Sequence, residues 1–153
     1  GMMVEVPSVV VMIDRFLSEV DFVSIGTNDL VQYTLAVDRG NRAVANLYSN
    51  SDPSVLRLIE RTITSADDAQ VPVSLCGQMG ADVNYTMLLL GMGLREWSVP
   101  PSIVPEIKEV CRSVDLDACK ELYEEVMEMD EPHAIDMRLR QELKRVLPEN
   151  SVY

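Results

Sequence analysis

Three short apolar runs and a fourth, weaker strand-like stretch leave this chain few folds to choose from. Each is stopped by a glycine, a proline or a polar cluster, and each is followed by residues of helical period. The runs cover residues 2–6, 22–26, 71–75 and 95–99. After the first, Val9, Val10, Ile13, Phe16 and Leu17 recur at helical spacing behind Ser8, a candidate cap. After the second, residues 29–37 read as a short helix and 38–51 as a polar, turn-rich loop. Asp52-Pro53 then opens a helix with Val55, Leu56, Ile59 and Ile63 on one face, a cap followed by proline at the first helical position. Asp82 is expected to cap a helix through Leu90, stopped by Gly91 and Gly93, and Ser102 to open one reaching about Arg112. Two further helices carry Leu116, Cys119, Leu122, Tyr123 and Val126, then Ile135, Leu139, Leu143, Val146 and Leu147.

Such alternation implies an α/β fold with parallel strands covered by helices. An eight-stranded TIM (β/α)8 barrel takes about 250 residues, so 153 residues with about four βα units predict half of one, followed by C-terminal helices. Residues 1–112 are assigned to the half barrel and 113–153 to a helical extension packed on it. Two open sheet edges invite association. Either the rest of the barrel lies elsewhere, or two copies complement each other, or the tail covers an edge.

Charge narrows the partners. With 25 acidic against 13 basic side chains the net charge is −12, which disfavours nucleic acid and anionic membranes. No apolar run approaches a membrane span and no signal-peptide pattern is present. Cys76, Cys111 and Cys119 are odd in number and lack a CxxC spacing, so neither a disulfide framework nor a zinc site is expected, and a reducing, cytoplasmic setting follows. The acidic residues of the tail, Asp115 to Glu131, fall between apolar helix positions and read as a solvated face. His133 has no motif around it and reads as surface.

The densest chemistry follows the second run. The run ends at Gly26, where a backbone can approach closely, and Thr27-Asn28-Asp29 follows at once. At the carboxyl end of a parallel strand, that is where α/β folds place their sites. The alternative is a strand-to-helix turn in which Asn28 or Asp29 merely caps the helix.

The string from Gly26 to Asn41, GTNDLVQYTLAVDRGN, resembles the signature of phosphoenolpyruvate-utilising enzymes, most closely enzyme I of the sugar phosphotransferase system. Pyruvate phosphate dikinase and phosphoenolpyruvate synthase are relatives of that family. Gly1-Met2-Met3-Val4-Glu5-Val6-Pro7, Leu75-Cys76-Gly77-Gln78-Met79 and Trp97-Ser98-Val99-Pro100 agree in order. The resemblance implies the C-terminal half of the phosphoenolpyruvate-binding barrel. It implies Glu5 and Asp29 as Mg²⁺ ligands, hard oxygens of the kind that cation takes. It also implies Asn28 and Arg39 on the phosphate, where an amide and a guanidinium fork match the oxygens. For Glu5 the plain alternative is an ordinary strand-end charge; for Arg39, an ion pair with Asp38. Arg42 reads as solvated. Cys76 is implied as the proton donor to the enolate carbon; a thiol with a pKa near roughly 8.5 is mostly protonated at neutral pH. Cys111 and Cys119 read instead as small buried hydrophobes.

The chain departs from the family at Gln78, where a glutamate is usual. It lacks the upstream phosphohistidine domain and the arginines of the early barrel strands. The expected function is therefore the phosphoenolpyruvate-binding portion of a phosphotransferase that phosphorylates a histidine and releases pyruvate, inactive or nearly so alone, and homodimeric. The competing readings are a non-catalytic, self-associating half-barrel module and, behind it, a Mg²⁺-dependent pyruvate-type lyase or aldolase.

Overall fold

Val4, Val23, Ile25 and Leu75 are wholly buried, and all four lie on one face of a single parallel sheet. The computed structural model describes residues 1–147. Its strands are β1 (Met2–Val4), β2 (Val23–Gly26), β3 (Val73–Cys76) and β4 (Glu96–Ser98), in the spatial order β1-β2-β3-β4. Sequential order with parallel pairing means that every connection is a crossover carrying helix, as the alternation requires. These are α1 (Pro7–Val11), α2 (Ile13–Leu17), α3 (Thr27–Leu35), α4 (Pro53–Asp68), α5 (Gln78–Ala81) and α6 (Thr86–Gly91). Three more, α7 (Val104–Ser113), α8 (Leu116–Met127) and α9 (Pro132–Val146), complete the described residues.

The sheet's two faces differ in kind. Because side chains alternate along a strand, Met3, Ser24, Ser74 and Glu96 share the other face, in register across all four strands. Met3 is about half exposed, Glu96 is exposed, and Ser74 Oγ donates to Ser24 Oγ at 3.1 Å. A barrel turns such a face inward; here no described element covers it, and both outer strands are unpaired on one side. The fold is an α/β half barrel.

Local chemistry explains most boundaries. Asp52 accepts from the Ser54 N–H and Pro53 fills the first position of α4, whose Val55, Leu56, Ile59 and Ile63 are buried as the spacing predicts. Ser8 is not a cap: Pro7 already occupies the first turn behind Val6, and the helix breaks at Met12 into α1 and α2. The break turns Phe16 outward while Ile13 and Leu17 stay buried. Asp82 caps only a 3-10 turn (Val83–Tyr85), and α6 follows it. Ser102 precedes α7 without capping it. Cys119 is buried as expected, but Cys111 is exposed, although it lies one turn beyond Ile107 on α7. Asp115, Asp117, Glu121, Glu124, Glu125, Glu128, Asp130 and Glu131 are all exposed, and so is His133.

The tail docks through α8 and α9. Tyr123 of α8 donates to Glu60 of α4, and Gly91 lies directly against the backbone of Cys119. On α9, Glu142 is 6% exposed and receives Arg138 Nη1 at 2.8 Å and Arg145 Nε at 2.8 Å. Arg138 also pairs with Glu125 on α8 at 2.8 Å. Burial alone raises the Glu142 pKa, but the hydrogen bonds from Arg145 and Arg138 outweigh it and hold the carboxyl below its usual 4.5. A depressed folded-state pKa contributes stability that is full above the unfolded value and fades as pH falls through the folded one. Glu142→Gln is therefore expected to lower the melting temperature at pH 7, with the gap to the native chain narrowing below about pH 4. Thermal melts at several pH values check this; a gap that does not depend on pH would count against the ion network.

Candidate active site at the strand ends

The carboxyl ends of β1, β2 and β3 gather Glu5, Asn28, Asp29 and Cys76, while Arg39 lies on the loop after α3. Val4 pairs with Ile25, so Glu5 stands one residue beyond β1, level with Gly26, and Gly26 pairs with Cys76. By alternation Glu5, Gly26, Cys76 and Ser98 point to the uncovered face. The Glu5 side chain lies across Gly26: an added Cβ there would sit 3.0 Å from Glu5 Oε2 and 3.1 Å from its Cβ. Gly26 is small because a carboxylate passes over it.

Helix α3 begins immediately after β2, two residues before the sequence pattern indicates, so Asn28 and Asp29 fall in its first turn. Gly26 occupies the cap position and no side chain caps the helix, which removes the reading of Asn28 or Asp29 as a mere cap. Thr27 is fully buried and donates from Oγ1 to the Cys76 carbonyl at 2.9 Å, tying α3 to the end of β3. Asn28 Oδ1 accepts the Gln78 N–H at 2.9 Å, which leaves the amide N–H bonds of Asn28 for an incoming oxygen. Gln78 thus meets the site through its backbone, so this contact survives the change from glutamate.

Arg39 is exposed on the loop after α3, and its backbone N–H reaches Gln32 Oε1 at 3.3 Å. It forms no salt bridge with Asp38 among the described residues, since Asp38 Oδ1 instead accepts the Gly40 N–H at 2.7 Å. Neither Glu5 nor Asp29 is taken up by a salt bridge to a described residue. Two free carboxylates at one sheet end suit a hard cation that completes its shell with water and substrate oxygens. Among the described residues no group of three or more His, Cys, Asp or Glu is assembled, so a metal here would depend on such outside oxygens.

Tyr48 is the residue that sequence reasoning passed over. Its hydroxyl donates to the Asn28 carbonyl at 3.4 Å. Burial raises its pKa most, the Arg39 charge lowers it and the Asp29 charge raises it. Tyr48 thus stands within electrostatic reach of both the cationic and the anionic candidate. An aromatic ring in a turn-rich loop beside the polar cluster was the available signal.

The family model for the PEP-binding domain of PEP-utilising enzymes matches residues 1–116. The phosphoenolpyruvate-protein phosphotransferase of Cupriavidus necator is 44% identical over 141 residues, 92% of this chain and 24% of the relative. That of Haemophilus influenzae is 43% identical over 152 residues, 99% of this chain and 26% of its own length. Multiphosphoryl transfer protein 1 of Escherichia coli is 43% identical over 139 residues, 91% of this chain and 17% of its own. The chain spans about a quarter or less of the curated relatives it matches.

Proposed function

The chain belongs to the PEP-utilising enzymes through their PEP-binding domain, and from that premise we propose that it forms the substrate half-site of a Mg²⁺-dependent phosphotransferase that moves phosphate from phosphoenolpyruvate to a histidine and releases pyruvate. The observation that carries this reading is the convergence of Glu5, Asn28, Asp29 and Cys76 at the ends of three adjacent parallel strands. Glu5 and Asp29 would hold Mg²⁺, which supplies positive charge to substrate oxygens. Asn28 and Arg39 would bind phosphate oxygens, aided by the first-turn N–H groups of α3. The bond from phosphorus to the enol oxygen breaks as one to the histidine nitrogen forms, a step governed by positioning and charge. The enolate's terminal carbon then takes the Cys76 proton, leaving pyruvate and a thiolate that water reprotonates.

The acceptor histidine would lie outside this chain, on a further domain; exposed His133 is remote in sequence from every strand end. The name and length of the matched phosphotransferases support this, as does the uncovered sheet face, which needs the remaining barrel strands. We propose the half barrel at 1–112 and the helical extension at 113–153, of which 148–153 lie outside the described residues. The open edges and the exposed Val11, Met12 and Phe16 support a homodimer, and equally favour the second reading, a non-catalytic half barrel that assembles with itself or a partner. Among the described residues no helix is long and apolar enough to cross a membrane; a cytoplasmic setting is part of the proposal.

Calorimetric titration of phosphoenolpyruvate into the full-length protein tests the site. Binding is expected to require Mg²⁺ and to weaken by more than about 100-fold in Asp29→Ala, beyond the roughly 10–100-fold that loss of an outer-sphere metal partner typically costs. Equal affinity with and without Mg²⁺, or in both proteins, would remove Asp29 and the metal from the reading.

A further inference from the structure

Three polar side chains from distant parts of the chain meet where α9 packs against the Val83–Tyr85 turn. Ser51, fully buried at the end of the loop that carries Arg39 and Tyr48, donates from Oγ to Asp136 Oδ1 of α9. Tyr85, 4% exposed, lies 2.7 Å from Ser51 Oγ and 3.1 Å from Asp136 Oδ1. The two hydroxyls supply two protons for three contacts. The two shorter contacts run Tyr85 to Ser51 and Ser51 to Asp136, which puts Ser51 at the centre and leaves the Tyr85–Asp136 contact as the weaker side. Burial, together with the nearby Asp136 charge, pushes the Tyr85 pKa up, so its proton stays in place across the working pH range.

The loop has few other holds. It is fixed at its start by buried Val37, whose N–H reaches the Gln32 carbonyl at 3.0 Å. In its body it is held by Tyr48 on Asn28, and at its end by Ser51. Between these, Asp38, Arg39, Gly40, Asn41, Arg42 and Ala43 are exposed, with turns of their own and, among the described residues, no hydrogen bond to another element except Arg39 N–H to Gln32. Ser51 lies three residues beyond Tyr48, so freeing it loosens Tyr48 and the segment behind it.

We infer that Ser51, anchored by Asp136, is a positioning residue that fixes the Arg39–Tyr48 loop over the substrate site, so that α9 acts on substrate affinity without touching substrate. The inference rests on the proposed role of Arg39 in binding phosphate. A buried hydroxyl with a charged partner is worth keeping for its geometry as well as its energy, since its loss leaves a half-buried carboxylate short of a donor.

The test is steady-state release of pyruvate by the full-length protein, with melting temperatures measured on the same samples. Ser51→Ala cuts the loop from α9 but leaves Tyr85 able to donate to Asp136; Tyr85→Phe removes a hydroxyl from the same cluster but leaves Ser51 on Asp136. Ser51→Ala is expected to raise KM for phosphoenolpyruvate about five- to tenfold with kcat unchanged, while Tyr85→Phe lowers the melting temperature and leaves KM alone. Asp136→Ala should repeat the Ser51→Ala result, and Asp136→Asn, which keeps an oxygen for the Ser51 proton, should restore KM. Melting shifts without a KM change in Ser51→Ala and Asp136→Ala, or equal KM changes in Ser51→Ala and Tyr85→Phe, would overturn the inference. Arg39→Ala separates the two failures: if it raises KM and Ser51→Ala does not, only the role of Ser51 falls; if it does not, the phosphate assignment falls and this inference with it.

Discussion

Cys76→Ala in the full-length protein is expected to lower the rate of pyruvate release by about 10²–10⁴-fold, the range in which a positioned proton donor acts, while phosphoenolpyruvate affinity changes little. Cys76 ends β3 half-buried on the open face, and its carbonyl is already held by Thr27. The substitution deletes the thiol without disturbing that backbone contact, and alanine fits the strand. The expected signature is therefore a kcat effect with KM preserved. Exchange at the product's methyl carbon adds a second readout: native protein should catalyse solvent deuterium uptake into pyruvate, and Cys76→Ala should not. A variant that keeps its turnover would shift the chemistry toward a lyase that needs no acid at this position, and would assign Cys76 to packing.

The strand ends were legible because their pattern is local. A run of apolar residues, a glycine and a polar cluster describe the end of a buried strand whatever surrounds it, and parallel neighbours then bring Glu5, Gly26 and Cys76 level. Helix α4 was legible for the same reason: its cap, its proline and its apolar spacing all agree. The beginnings of α1 and α3 were misread because Pro7 and Gly26 open those helices without a capping side chain, so the caps suggested by composition at Ser8 and within Asn28-Asp29 have no helix end to serve. What composition does not carry is contact between distant segments. Tyr48 meets Asn28 twenty residues away, and Ser51 meets Asp136 across most of the chain; nothing in the periodicity of either segment encodes the meeting. Arg39 shows the intermediate case. Its neighbour Asp38 suggested an ion pair, but a short turn claims that carboxylate for Gly40 and leaves the guanidinium without it.

Gly77 ties stability closely to the site. It has φ 102° and ψ −174°, a conformation that is essentially restricted to glycine. An added Cβ would also overlap Thr27 Oγ1 and lie 3.0 Å from Asn28 Oδ1. Gly77→Ala thus meets two penalties, backbone strain of about 1–3 kcal/mol and overpacking of about 1–3 kcal/mol. Together they are a large share of a typical folding free energy of about 5–15 kcal/mol and predict a melting temperature lower by roughly 10 °C. Gly93→Ala separates the two: its φ is 101°, yet its Cβ meets only Ile63 Cγ2 at 3.5 Å. It should show the strain without the collision, melting between the native chain and Gly77→Ala, with phosphoenolpyruvate binding intact. Gly77→Ala should lose binding as well, because relieving the overlap must move Thr27 off the Cys76 carbonyl or Asn28 off the Gln78 N–H. Either motion turns the first turn of α3, and with it Asn28 and Asp29. Equal melting and equal binding in the two variants would mean that the packing of β3 against α3 does not set the orientation of those residues, and that the site depends on something other than the close approach at Gly77.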